Sequence, residues 1–437
     1  MAHNRRLSQS LTLSPDPPTM NFTVPNDSKI WMTHWTTAFA RDIIDSRIVA
    51  VDAQTSVEDA CEILLSSEDI SCLAIKSGDH SVSGLLDFSD VNAFLTLAAT
   101  KHTFSPEELQ DKPQVDDIFT AARAGHVPVS IVSNLSEKNA LQTLPYNATI
   151  VSLLDSFAQG AHRVLIHSNS SSSGQEDFLG IVSDRRLLAW FLSFAQQSEF
   201  ESLRTYLSNP LSSFTDSLPS LNLFTAVVAA LSTAPVLEAM KLMSEEGVSS
   251  IAVLEEEGGT LLSAVSVTDI GKIVVPSQSN QILAMPLQHF ISLVKGPDGS
   301  TDGADKMPVY SVFSTSTMLY TMQKILATNA HRVFVTQESA ESSPILTPLS
   351  SGNLAGVVSV VDILSLFARL ANVQHVDPTM QRHRRASSVS SQASSRSDHS
   401  RSSSRTGIRR ALSAKTSHSN HKPPSVTSPT IGDSIKL

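Results

Sequence analysis

Residues 356–363 read Gly-Val-Val-Ser-Val-Val-Asp-Ile: an apolar run, Ser359, then Asp362 at the head of a helix-like stretch, Asp362-Ile-Leu-Ser-Leu-Phe-Ala-Arg-Leu370. The same internal order occurs three more times, as Gly84-Leu-Leu-Asp87-Phe-Ser-Asp90-Val91, Gly180-Ile-Val-Ser183-Asp-Arg-Arg186-Leu187 and Ala264-Val265-Ser266-Val-Thr-Asp269-Ile270. The last aligned polar positions, 90, 186, 269 and 362, lie 96, 83 and 93 residues apart. A period near 90 with conserved internal order makes the chain an array of four units.

Working back from each stretch, a unit reads helix, strand, strand, helix, with a leading strand such as Ile48-Val-Ala-Val51. The opening helices bury one face each. Val57, Ala60, Cys61, Leu64 and Leu65 follow helical spacing after Thr55 and Glu58, which have the spacing of a capping box. Thr149, Thr233 and Thr315 are the corresponding candidate caps in the other copies. Short β-rich runs follow at Ser71–Ile75, Arg163–Ile166, Ser250–Leu254 and Arg332–Thr336. The expected fold class is α/β (α+β).

Of 437 residues, 32 are Lys or Arg and 42 are Asp or Glu. Residues 378–437 hold 11 basic residues against two acids, a net +9, so residues 1–377 carry a net −19. No run of 18 apolar residues offers a membrane span. Residues 1–18 contain no continuous apolar core of a secretory signal. Two cysteines, Cys61 and Cys72, make neither a disulfide framework nor a zinc site, which fits a reducing compartment. No metal site, no H-E-x-x-H, no G-x-S-x-G elbow and no phosphate loop of the G-x-x-x-x-G-K-[ST] type is present, so no catalysis is expected.

The Ser- and Pro-rich start and the tail, with 17 serines in 378–437, have too few large apolar residues to offset the entropy of ordering. The expected partition is a disordered segment at 1–40, repeats at 41–100, 139–196, 222–275 and 307–372, linkers at 101–138, 197–221 and 276–306, and a disordered basic Ser/Arg-rich tail at 373–437.

These units resemble CBS domains, in which a G-[IV]-[VI]-[ST]-x-x-D-[ILV] stretch closes each βαββα unit. The resemblance covers about 46–372 and implies two tandem modules forming a disk. Within that family the chain looks like the nucleotide-sensing gamma subunit of AMP-activated kinase. The opening of copy one, SRIVAVDAQTSVEDACEILLSSEDISCLAIKS with GLLDFSDVNAFLTLAA, looks closer still to the fungal Sds/Moc-type regulators, antagonists of type 2A phosphatases.

The chemistry of the motif can be argued beside the resemblance. A carboxylate heading the closing helix can accept from both ribose hydroxyls, a small Ser leaves room, and Gly lets a ligand approach the backbone. Ser266/Asp269 and Ser359/Asp362 keep both polar positions; Asp90 shares its site with Asp87, and Arg186 replaces the acid in copy two. The plain alternative for the three aspartates is a helix N-cap. By the resemblance, His162-Arg163 and His331-Arg332 would contact phosphates, whereas copies one and three show Asp69-Ile70 and Gly247-Val248 at that place. AMP, ADP or ATP is the implied regulatory ligand.

Ser8, Ser387 and Ser413 stand in basophilic-kinase contexts (R-R-x-S or R-x-x-S), and each phosphate on Ser387 or Ser413 would reduce the tail's charge by about two units. The resemblance implies a non-catalytic, cytoplasmic and nuclear inhibitor of a type 2A-like protein phosphatase. It would link nutrient, energy and stress state to cell cycle, DNA replication and cell separation. Two other regulatory readings stand beside it: a gamma-like subunit of a kinase complex, and a ligand-free scaffold. A homodimer is compatible with each, and neither nucleic acid nor membrane is expected as a partner.

Overall fold

The computed structural model describes residues 28–67, 70–78, 81–100, 113–169, 177–217, 227–256, 260–274, 281–295, 311–336, 354–374 and 376, with the backbone of 409–410. Each repeat contributes a three-stranded sheet: β1 (Ala50–Asp52), β2 (Leu73–Lys76) and β3 (Val82–Leu86); β4 (Thr143–Leu144), β5 (Arg163–His167) and β6 (Phe178–Ser183); β7 (Val228–Leu231), β8 (Ser250–Leu254) and β9 (Leu261–Ser266); β10 (Ser311–Phe313), β11 (Arg332–Thr336) and β12 (Leu354–Ser359). In every sheet the first strand pairs parallel with the second, and the second pairs antiparallel with the third. The antiparallel register shifts once, at the far end of the second strand, at Ile75/Lys76, Ile166/His167, Val253/Leu254 and Val335/Thr336. The fourfold recurrence of one irregularity confirms the repeat independently of the motif.

The parallel pair needs a crossover, which the opening helices supply: Val57–Leu65, Ile150–Ala158, Val236–Glu245 and Met318–Ala327. Their expected apolar stripes are buried, including Val57, Ala60, Cys61 and Leu64 in the first and Met318, Met322 and Ile325 in the last. The caps differ from the expectation except at Thr149, which forms a capping box with Ser152. Ser56, Pro235 and Thr317 hold the other N-cap positions, one or two residues after the threonines expected there.

Sheets pack in pairs. Cys72, Ala74, Val82 and Leu85 of repeat 1 meet Leu165 and Ile181 of repeat 2, and Ala229, Ala252 and Leu254 of repeat 3 meet Phe334, Leu354 and Val357 of repeat 4. Helices join the pairs. The closing helix of repeat 1 (Phe88–Thr100) packs on the opening and closing helices of repeat 3, the latter Val267–Val274. The closing helix of repeat 2 (Asp184–Gln196) packs likewise on repeat 4, whose closing helix is Val360–Leu370. There Phe191 and Phe367 stack with ring centroids 4.0 Å apart. Contacts 1–2, 2–4, 4–3 and 3–1 close a ring of four repeats, the expected two-module disk.

The described parts of the segments expected to be linkers, 113–138, 197–217 and 281–295, are part of this structure. Pro128 bridges Ser56, Phe39 bridges Thr149, Pro286 bridges Pro235, and Pro210 bridges Thr317. The stretch leading into repeat 2 therefore holds the opening helix of repeat 1, while the stretch leading into repeat 1 holds that of repeat 2. Repeats 3 and 4 exchange in the same way. Short helices after these bridges bury Val129 and Val132, Leu211 and Phe214, or Leu287, Phe290 and Ile291. Linkers that were only tethers would leave these side chains in water.

Residues 28–40, expected to be disordered, begin with the helix Ser28–Thr37. Trp31 and Trp35 are buried, Trp35 edge-on to Phe191 and Phe367. Within the segment read as a tail, the backbone of Arg409–Arg410 (β13) pairs parallel with β7. Ser8, Ser387 and Ser413 lie outside the described residues.

Candidate functional site

The four motif positions sit where the third strand of each repeat turns into its closing helix. Sheet register pairs Arg163 with Ser183, Ser250 with Ser266 and Arg332 with Ser359. Leu73 pairs with Leu86 in repeat 1, which places Cys72 level with Asp87. The equivalents of the His-Arg pairs are thus Ser71-Cys72 and Ser249-Ser250, two residues later than Asp69-Ile70 and Gly247-Val248. Variable turns after the opening helices hid that offset in the sequence.

The register explains what the two arginines do. Arg163 donates to the Ser71 backbone oxygen (3.0 Å) and to Ser71 Oγ (3.3 Å). Arg332 donates to Ser249 Oγ (3.1 Å) and to the Ser250 oxygen (3.4 Å). Each guanidinium crosses to the matching residues of the sister repeat and clasps its module. Arg163 also forms a 2.9 Å ion pair with Asp87 and donates to Asn139 Oδ1 (3.1 Å). Burial opposes charge at Asp87. The Arg163 charge and hydrogen bonds from Asn139 and the Ser89 amide outweigh it and hold the carboxyl below its usual range.

In repeat 1 the chain itself covers the expected ribose carboxylate. Asp90 is fully buried; its Oδ1 accepts from the Ser136 amide (2.9 Å) and hydroxyl (2.6 Å), and its Oδ2 from the Asn139 amide (2.6 Å). Burial, and next the charge of Asp87, push it up to about 7. A Cβ added to Gly84 would lie 2.4 Å from Ser133 Oγ, so the close approach that glycine permits is taken by residue 133. Repeat 2 repeats the arrangement. Gly180 lies against Ile44 and the Ser46 oxygen, and the Ser183 hydroxyl donates to Asp45. The expectation that these glycines admit a ligand gives way to a stretch of the chain in both repeats.

Repeats 3 and 4 carry reciprocal caps. Ser266 N and Oγ donate to Asp269 Oδ2 (2.9 and 2.8 Å), and Ser359 N and Oγ donate to Asp362 Oδ2 (2.8 and 2.7 Å). Asp362 is fully buried, whereas the Asp269 side chain remains 19% exposed. Lys295 Nζ stands 3.9 Å from Asp269 Oδ2 and donates to the Ala264 oxygen. Burial pulls its ammonium down from the usual lysine value, against the Asp269 charge. The stretches that would correspond to Ser133–Asn139, residues 296–310 and 218–226, are outside the described residues.

Where repeats 2 and 4 meet, a second group of polar side chains gathers. His162 and His331 stand edge to face, ring centroids 6.5 Å apart. His331 is solvent-exposed at this junction. His162 Nδ1 is 2.8 Å from Asp184 Oδ2. Arg185 reaches the Asn329 oxygen (3.4 Å), and its buried Nε has no hydrogen-bond partner among the described residues. Asp184 and Arg185 were not singled out in the sequence reading. The signal was there, since Phe88, Val267 and Val360 occupy the place of Asp184 in the other copies.

The CBS domain family model matches residues 40–96 and 224–275, repeats 1 and 3. Protein sds23 of Aspergillus niger is 30% identical over 391 residues, covering 78% of this chain and 73% of its own length. The chain belongs to the Sds23 family. Protein SDS23 of Phaeosphaeria nodorum, 27% identical, covers 90% of this chain and 80% of its own. Among solved structures, MJ1225 of Methanocaldococcus jannaschii, described as an archaeal homologue of g-AMPK, matches with a TM-score of 0.53 at 13% identity. That match covers 76% of this chain and all of the other, and bears on the fold alone. Membership in the Sds23 family and the tandem CBS fold make this a regulatory CBS-domain protein. Among the described residues no helix is long and apolar enough to cross a membrane, and no cluster of His, Cys, Asp and Glu could hold a metal.

Proposed function

We propose that this member of the Sds23 family is a non-catalytic sensor in which an adenine nucleotide biases the packing of the two modules and so changes a partner surface. The observation that carries this is the contrast among the four turns. Two are covered by the chain itself, whereas Asp269 keeps solvent access beside the Lys295 ammonium. Asp269 would hold the ribose hydroxyls and Lys295 a phosphate; Ser359/Asp362 has the same cap, with Asp362 fully buried. His162 and His331 would face a phosphate where repeats 2 and 4 meet, while Arg163 and Arg332 act first as module clasps. A nucleotide shifts the packing only through different affinities for its two states.

The partner in this proposal is a type 2A-like protein phosphatase, inhibited in the cytoplasm and nucleus, with the phosphorylatable tail adjusting access to the acidic body. Capture of the full chain from cells, followed by phosphatase assays on the purified pair with and without AMP, tests it. The expected result is co-purification of a type 2A catalytic subunit whose activity falls on binding. Capture of a kinase catalytic subunit without a phosphatase would replace this reading with the gamma-like one.

A further inference from the structure

Each sheet has its first strand at an outer edge, and only in repeat 3 do the described residues add a further strand there, in the order β13-β7-β8-β9. Arg409 pairs with Val228 and Arg410 with Ala229, in parallel. The ladder between β7 and β8 accounts for this register. Ala229 pairs with Ala252, and the Ser232 amide donates to the Leu254 oxygen (2.8 Å). Backbone groups alternate in direction along a strand, so Ala230 faces β8 as Ser232 does, and the N–H and C=O of Ala229 face the outer edge. Ala229 is only 2% exposed, and buried backbone groups need partners. β7 also lacks the exposed position that the other first strands have at Asp52, Thr143 and Phe313. In repeat 4 the chain seals its own edge, because Ser316 Oγ accepts from the Phe313 amide (3.1 Å). Ala234 stands at that place in repeat 3 and has no hydroxyl.

Charge and direction add to this. The tail carries a net +9 and the rest of the chain −19. Parallel to β7, β13 runs toward the end of the sheet where Leu231 pairs with Leu254, and Leu254 leads into exposed Glu255 and Glu256. Two strand spacings, about 10 Å, separate β13 from β8, which is about the screening length at physiological salt. Ser413 follows Arg410 by three residues, in an R-x-x-S context. We propose that the outer edge of β7 is a docking site for the chain's own tail around Arg409–Arg410, closed by strand addition, and that phosphorylation of Ser413 opens it. A basophilic kinase moves the γ-phosphoryl group of ATP to Ser413 Oγ, the hydroxyl proton is released and ADP leaves. The phosphate brings about two negative charges toward the end of the sheet that Glu255 and Glu256 already occupy. This names where the tail of the reading above docks; it rests on that reading for the tail's purpose and on no nucleotide.

The test is hydrogen–deuterium exchange of the full chain, read in the peptide 227–232 and, as a folding control, in the peptide 311–316. Ala411→Pro keeps every charge and takes away a backbone donor beside Arg410. Exchange of 227–232 should then become roughly fivefold faster, the factor that one lost backbone hydrogen bond is worth. Treatment of the unaltered chain with a basophilic kinase and ATP should do the same. Kinase-treated Ser413→Ala, which keeps its other phosphates, should stay slow, and 311–316 should be unchanged throughout. No response of 227–232 to Ala411→Pro overturns the docking; a response to Ala411→Pro but none to the Ser413 phosphate overturns the release. Protection that grows with protein concentration assigns the edge to the tail of a second copy and overturns the intramolecular contact. The exchange measurements are made without nucleotide, so each of these failures is distinct from a failure of AMP to bind.

Discussion

Replacing Arg163 with Met removes the cation that faces Asp87 while keeping most of the buried stem. The Arg163 and Asp87 side chains are 10% and 12% exposed, and their 2.9 Å contact is joined by bonds from Arg163 to Asn139 and Ser71. Removing one partner of such a buried pair leaves the other charge uncompensated, which costs about 3–5 kcal/mol. A solvent-exposed pair such as Arg204–Glu201 is worth at most about 1 kcal/mol and serves as the control through Arg204→Met. The assay is urea unfolding of the full chain without ligand. The pH dependence fixes the cause. Asp87 is held below its unfolded value of 3.8, so its contribution is present above about pH 4 and lost as pH falls through the still lower folded value. Without Arg163 the Asp87 carboxyl is held up by burial. The deficit of Arg163→Met should then be largest near pH 8 and shrink toward pH 5 as Asp87 takes a proton. A loss no larger than that of Arg204→Met, or one independent of pH, would refute the clasp.

Three further outcomes follow from packing and charge. Gly271→Ala places a Cβ 2.3 Å from the Phe88 ring at the junction of repeats 1 and 3; unfolding should show a loss of about 1–3 kcal/mol, partly restored by Phe88→Leu. Trp35→Ala opens a cavity beneath the N-terminal helix against Phe191 and Phe367, and calorimetry should register a loss of about 3–5 kcal/mol. Asp90, pushed up to about 7 from an unfolded 3.8, favours the folded state below pH 4, and that advantage is lost as pH rises through 7. Stability measured between pH 5.5 and 8 should fall with pH in the unaltered protein and less steeply in Asp90→Ala.

Much of the architecture was legible because repetition amplifies weak signals. One Ser-x-x-Asp turn is only a cap motif, yet two of them and two variant copies (Asp87/Asp90 and Ser183/Arg186) at a 90-residue period, each behind a helix stripe and two β runs, specify the unit and its order. The exchanged segments were missed for a physical reason. Phe39, Pro128, Pro210 and Pro286 each make one isolated bridge to a partner far away in sequence, and short stretches such as Val129–Val132 are too brief for helical periodicity to register. Trp31 and Trp35, four residues apart, lie inside the segment expected to be disordered and were not read as a buried helix face.

At the site, the positions of Ser266, Asp269, Ser359 and Asp362 were readable, whereas their accessibility was not. The cover over Asp90 comes from Ser136 and Asn139, some 46–49 residues away, and no local pattern announces it. Arg163 looked like a phosphate ligand by its neighbour His162. Its real partners, Ser71 and Asp87, follow from sheet packing between repeats. Asp184 and Arg185 were detectable only by comparing the copies with one another and asking which departs from apolar.

The central proposal is that ligand binding is led by the partly exposed Asp269 turn of repeat 3 while the chain itself covers repeats 1 and 2. Equilibrium dialysis of the full chain with radiolabelled AMP tests it most directly. The account predicts at most two molecules bound per chain, with capacity lost in Asp269→Ala plus Asp362→Ala and unchanged in Asp90→Ala. Binding of AMP that survives the double substitution, or that disappears with Asp90→Ala while the protein remains folded, would contradict it.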